Sequence, residues 1–308
     1  INAKGGIDGR MVQVTIEDDQ TDGKGAVSAF TKLVNLDHVD GVLGGVFDFT
    51  AQPLFPLALN TETPLVSGSN FRIPGGFDLN AQSFVMLPDM EKVIRQLKTY
   101  LAAQSYKKVA VVHFKSTFGN EIARTIDVIM KENGQSGIIN EEYAAIGDNN
   151  FRTTIAKLKA QNVEAVFMDM VGNDPLNFLV QSKQLGFAPK FISYNAILDS
   201  LTGDADKSLL EGVTILNWEV NTPAFIALYK KEYGVEPAKS ADKWFDAVYV
   251  MAEGIAKSEG KSQVASYIEK TEFTTPNSTV KFTKEHAVES ILTQIQTVKE
   301  GKVVEWTK

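Results

Sequence analysis

Val39-Asp40-Gly41-Val42-Leu43-Gly44-Gly45-Val46-Phe47-Asp48-Phe49-Thr50 is the stretch on which the fold turns. Gly41 to Val46 is a short apolar run broken by glycine. Such a run suits a parallel strand covered on both faces, where strict alternation is not required. Phe47 to Thr50 leaves the strand and enters a helix pattern, with Pro53 tolerated in the first turn. Open parallel sheets bind ligands just beyond the carboxyl ends of their strands. The junction is therefore a candidate site, and the other strand ends that could face it become candidates with it.

Working outward, Ile1 to Gly9 reads as the end of a helix running into a glycine-rich turn. Val12, Val14 and Ile16 alternate with Gln13, Thr15 and Glu17, which predicts a half-exposed strand. Ala26 to Leu36 is predicted helical, with Ala26, Phe30 and Leu33 on one face. Beyond the central stretch come a helix to about Asn60, a short strand Pro64 to Ser67, and a helix Glu91 to Leu101 with Val93, Leu97 and Leu101 aligned.

A second series follows. Val109 to Phe114 is an apolar strand, and Ser116 or Thr117 can cap a helix striped by Ile122, Ile126 and Ile129. Asn149 or Asn150 caps a helix carrying Phe151, Ile155 and Leu158. Val163 to Met168 is a strand, and Asp174 is expected to cap a helix with Pro175 at its first position, which Gly186 closes. Phe191 to Tyr194 and Val213 to Trp218 are further strands. Trp244, Val248, Met251 and Ile255 recur at helical spacing, and Ile291 to Val298 and Val303 to Trp306 form a hairpin around Glu300-Gly301. Strands and helices alternate twice, so the fold class is α/β, with two doubly wound parallel-sheet domains.

Composition removes several classes of function. A chain of 308 residues is too long for one ordinary core and suits two domains. A net charge of −7 without a Lys/Arg cluster argues against a nucleic-acid surface, so no nucleic-acid partner is expected. No apolar run approaches the roughly 18 residues of a membrane helix. The absence of cysteine excludes disulfides, thiolate catalysis and cysteine metal sites. His38, His113 and His286 are scattered, and no H-E-x-x-H, G-x-S-x-G, Walker A or G-x-G-x-x-G pattern occurs. Asp18-Asp19 lacks the spacing of a calcium loop. No enzyme, catalytic residue, metal or cofactor is expected.

Ile1 to Arg10 followed by Glu17-Asp-Asp-Gln-Thr-Asp22 resembles the opening of the branched-chain amino-acid binding proteins of ABC transporters, which are type 1 periplasmic binding proteins. Gly41 to Val46, Pro64 to Ser67, Ser116 to Gly119, Gln184 to Phe187 and Phe245 to Val248 match further family segments, in family order and across nearly the whole chain. The resemblance implies two α/β domains joined by three crossing segments, with a small ligand trapped in a cleft. Mapped onto this chain, it implies an N-terminal lobe of 1–88 plus 218–288 and a C-terminal lobe of 89–217 plus 289–308. Family members open with a strand that has no counterpart here, so the first domain is expected to lack its first strand. Clipping is the expected reason, because removing a central strand leaves two rows of backbone groups unpaired.

Strand ends and helix starts supply the candidate ligand contacts, where backbone N–H groups are free. In the first domain these are Asp48, Phe49, Thr50, Ser69, Asn70 and Phe71; in the second they are Phe118, Val171 and Asn195. Each has a plainer reading as a helix cap or a core side chain. The resemblance implies that hydroxyls, backbone groups and an acid hold an α-amino acid. Here Asp48 and Phe49 replace small hydroxyl residues, Phe118 replaces a covering tyrosine, and Asn195 stands near the position of the acid. Phe49, Phe71 and Phe118 point to an apolar or aromatic-lined pocket. Arg72 could hold a carboxylate bidentately, but an arginine on the solvated surface fits it better, and Trp244 reads as core by its spacing.

The resemblance further implies a small-molecule ligand, an ABC-transporter membrane permease as partner, a monomer, and a periplasmic or surface-anchored location. The same domains could also serve a receptor or sensor, since fold does not fix function.

Overall fold

A computed structural model describes residues 1–69, 79–88, 90–201, 207–218, 221–289 and 294–307. The chain divides into two compact units. One is built mainly from the residues up to Met90 and from Glu219–Leu292, the other from Glu91–Trp218 and Thr293–Lys308.

The first unit begins with α1 (Gly23–Asn35), β1 (Val42–Leu43), α2 (Asp48–Ala51), α3 (Leu54–Asn60), β2 (Leu65–Ser67) and β3 (Ser83–Pro88). Asp22 caps α1 by accepting from the Gly25 N–H, and the helix buries Ala26, Phe30 and Val34. These pack with Val42, Leu54, Phe55 and Leu65 into one core on that side of the sheet.

The second unit carries α4 (Met90–Gln104), β4 (Val109–Phe114), α5 (Thr117–Glu132), β5 (Ile138–Tyr143), α6 (Arg152–Ala160), β6 (Ala165–Asp169), α7 (Asp174–Gln184), β7 (Lys190–Tyr194) and β8 (Thr214–Asn217). Every residue of β4 and of β6 is buried, as expected of central parallel strands. Ile122, Ile126 and Ile129 of α5 are buried as their spacing predicts.

The chain returns to the first unit with α8 (Pro223–Tyr233), α9 (Ala241–Lys257), α10 (Lys261–Lys270), β9 (Phe273–Thr274), β10 (Thr279–Val280) and β11 (Ala287–Val288). It closes in the second with the hairpin β12 (Gln294–Lys299) and β13 (Lys302–Glu305). Glu300 and Gly301 both have positive φ, the requirement of a tight two-residue turn.

The first unit's sheet runs β1-β2-β3-β11, parallel throughout. The second runs β13-β12-β8-β7-β6-β4-β5, parallel from β8 to β5 and antiparallel at the β12–β13 end.

Two expectations need correction. Val12–Glu17 forms no strand. Val14 and Ile16 are 69% and 86% exposed, and a groove of about 410 Å³ lies between this segment and β1, floored by Leu33, Val248 and Met251. Alternation alone cannot make a strand where no neighbour completes the ladder. The segment is instead pinned at one end, where the Asn2 amide donates to the Val12 carbonyl at 2.7 Å and its oxygen accepts the Val12 N–H at 2.8 Å. Second, Asp174 is the first residue of α7 and does not cap it. Its carboxylate accepts the Tyr143 hydroxyl and the Gly147 N–H. β5, on which the sequence reading is silent, carries Asn140, Glu141 and Glu142 at a sheet edge and so lacks the apolar run that marks a central strand.

Candidate ligand-binding site

At the first unit's carboxyl edge, β1 gives way to Gly44 and Gly45. Gly45 has φ +74°, and a Cβ there would lie 2.8 Å from the Ala51 Cα. Only glycine makes this turn into α2. Asp48 and Thr50 are buried and Phe49 is half-buried. The Thr50 hydroxyl donates to the Phe47 carbonyl at 3.0 Å and accepts the Phe47 N–H at 3.1 Å. It therefore closes the first turn of α2. Phe49 stacks on Phe47 with centroids 5.4 Å apart and planes 3° from parallel, which puts two phenyl rings at this edge.

The next strand, β2, supplies two hydroxyls. Ser67 donates to the Gly45 carbonyl at 2.6 Å and accepts the Ser69 N–H at 3.0 Å, tying the end of β2 to the end of β1. Ser69 is 1% exposed. Its hydroxyl has no hydrogen-bond partner among the described residues. Asn70, Phe71 and Arg72 lie outside the described residues. Trp244 of α9 packs on the core, as its spacing predicts. It also borders the site: a Cβ on Gly68 would meet its ring at 2.5 Å.

At the second unit's carboxyl edge, Ser116 caps α5 by accepting the Gly119 N–H at 2.8 Å, and Phe118 is half-buried in the first turn. Val171 follows β6 and Asn195 follows β7, both buried. Phe118, Val171 and Asn195 thus stand at the ends of β4, β6 and β7, three strands of one sheet.

Two further aromatic residues stand here, each the last residue of a predicted strand. Tyr194 meets Phe118 edge to face at 5.9 Å and 70°, and lies flat against Trp218 at 5.4 Å and 14°. The signal was available in the sequence, since both residues terminate predicted strands.

Charge is held tightly nearby. Burial raises the Asp174 carboxyl above the usual carboxylate range, against the hydrogen bonds from Gly147 and Tyr143. Burial, then the neighbouring Asp174, pushes the Tyr143 phenol well above its ordinary value. Among the described residues, no group of three or more His, Asp or Glu side chains could hold a metal ion. No described helix is long and apolar enough to cross a membrane.

Two open sheets, one parallel and one mainly parallel, each with polar and aromatic groups at its carboxyl edge, define a ligand-binding α/β protein. The pattern of the periplasmic binding proteins matches residues 1–302, and the chain belongs to that family. It is 24% identical over 281 residues to the Leu/Ile/Val-binding protein of Escherichia coli K12, an alignment covering 87% of this chain and 74% of that one. Among solved structures it resembles the branched-chain amino acid transporter substrate-binding protein LivJ of Streptococcus pneumoniae in complex with isoleucine. That likeness has a TM-score of 0.82 at 20% identity and covers 98% and 88% of the two chains. It also resembles a solute-binding protein of an ABC transporter from R. palustris in complex with benzoate, with TM-score 0.81 at 16% identity, covering 99% and 87%. At these identities the structural likenesses establish the fold.

Proposed function

We propose that the chain is the extracytoplasmic solute-binding component of an ABC transporter and captures a small carboxylate, an amino acid with a branched apolar side chain. It binds and releases its ligand without chemistry, as a monomer, and delivers it to a membrane permease. The carboxyl edges of the two sheets supply the ligand contacts. The boundaries 1–88 plus 218–288 and 89–217 plus 289–308 describe the two ligand-binding lobes.

One observation carries the ligand reading: the Ser69 hydroxyl, buried at the end of β2 without a partner among the described residues. An unsatisfied buried hydroxyl costs about 1–3 kcal/mol. A ligand carboxylate or ammonium group arriving there removes that cost. Family membership supports the transport role, and the names of the E. coli and S. pneumoniae relatives support a branched-chain ligand.

A second ligand class, an aromatic or keto acid, has its own support. Phe47 and Phe49 stack at one edge, and Asn195 stands where the family resemblance implies an acid for the ammonium group. The R. palustris neighbour was solved with benzoate. A thermal-shift screen of amino acids, keto acids and aromatic acids tests both classes. A ligand at a hundred times its Kd adds about 2.7 kcal/mol of stability. A screen in which no small carboxylate raises the melting temperature refutes the proposed function.

A further inference from the structure

Phe118, Tyr194 and Trp218 reach across the carboxyl end of one strand. In the second sheet β7 lies between β8 and β6, and β4 lies on the far side of β6. Trp218 follows β8, Tyr194 ends β7 and Phe118 follows β4. The ring series therefore spans the end of β6, where Asp169, Met170 and Val171 are buried. Trp218 is 7% exposed, while Tyr194 and Phe118 keep part of their surface open.

Tyr194 is held from two directions, by the indole against its face and by the Phe118 ring at 70° to it. A ring so placed has already lost its rotamer freedom in the folded protein. A ligand that touches it has no ordering cost to meet. We propose that Tyr194 is a specificity-determining residue of the site. Held by Trp218 and Phe118, its ring is a fixed wall that favours carboxylates with a branched or ring-shaped apolar side chain over those without one. The proposal rests on the reading that the ligand sits at this carboxyl edge, and it names the residue that measures the side chain.

A fixed wall discriminates by contact area. A side chain long enough to reach it gains apolar burial; a ligand with a methyl group alone does not. Cutting the wall back should therefore weaken the larger ligand and leave the smaller one nearly unchanged. A residue needed only for folding would weaken both alike.

The test is calorimetry on the full chain with two pairs of probes, leucine against alanine and benzoate against acetate. Wild type is compared with Tyr194→Phe, Tyr194→Ala and Tyr194→Val, the last being suited to a strand end should the alanine variant fail to fold. In Tyr194→Ala or Tyr194→Val the larger member of the bound pair should lose about tenfold or more in affinity. The smaller member should change by less than about threefold, and Tyr194→Phe should keep the wild-type preference. Equal losses for both members, or no loss in the shortened variants, overturn the proposal while the site reading stands. A wild type that binds neither leucine nor benzoate overturns the site reading and the proposal with it.

Discussion

His113 and Asp169 stand opposite each other on the neighbouring strands β4 and β6, both wholly buried, and both reach Gly119. The first turn of α5 comes so close to these strand ends that a Cβ on Gly119 would lie 2.4 Å from His113 Nδ1, 2.8 Å from the Phe114 carbonyl oxygen and 2.9 Å from Asp169 Oδ2. Glycine at 119 thus lets the first turn of α5, which carries Phe118, lie close against these strand ends.

Gly119→Ala is expected to destabilise the protein. Alanine gains about 1 kcal/mol of helix propensity, but overpacking of this kind costs about 1–3 kcal/mol. The Phe114 carbonyl is backbone and cannot swing away, so the clash should win. Urea denaturation should give a lower midpoint than wild type. An unchanged or higher midpoint would show that the helix start has room to move.

Gly68→Ala should act on the ligand more than on the fold. The obstacle is the Trp244 ring, a side chain that can shift. Trp244 borders the end of β2 beside Ser69, so its displacement should weaken binding about tenfold and alter tryptophan emission. Wild-type affinity with unaltered emission would place that ring away from the ligand.

Thr50→Val and Phe118→Ala separate a cap from a contact. The Thr50 hydroxyl is bonded to Phe47, and losing such a cap costs about 1 kcal/mol of stability. Thr50→Val should therefore lower the melting temperature without ligand. Phe118→Ala should instead cost affinity, about tenfold or more for loss of a well-covered ring. Thr50→Val should keep affinity within about threefold of wild type. A larger loss of affinity in Thr50→Val than in Phe118→Ala would reverse the two assignments.

Asp174→Asn should flatten part of the pH dependence of stability. The Asp174 carboxyl is raised in the folded state, chiefly by burial. A group raised on folding contributes most below its unfolded value, and that contribution is lost as pH rises through the folded value. The substitution keeps an oxygen acceptor for Tyr143 and Gly147 and removes the buried charge. Its melting temperature relative to wild type should therefore be more favourable at pH 7 than at pH 4. The opposite trend would mean that the carboxylate is stabilised in place.

Much of this was legible in the sequence, for identifiable reasons. The buried strands β4 and β6 are mostly apolar, interrupted only near their ends by His113 and Asp169, the α5 stripe repeats at helical spacing, and Glu300-Gly301 marks its turn. Neither β3 nor β5 carries a clear strand signal: β3 opens on serine and closes on proline, and β5 is an edge strand with charged residues. Val12–Glu17 misled because alternation records which way side chains point, not whether a neighbouring strand is there. In the site, Ser69 and Phe118 follow from their positions at strand ends. The engagement of Thr50 with Phe47 depends on three-dimensional geometry that cap statistics do not resolve. Tyr194 and Trp218 were visible as strand ends, but their stacking is a contact between separate strands.

The most direct test of the central claim is calorimetric titration of the full chain with leucine, isoleucine, valine and benzoate. The account predicts one-site binding of at least one of them, micromolar or tighter, about −8 kcal/mol. No heat from any of the four at millimolar concentration would contradict it.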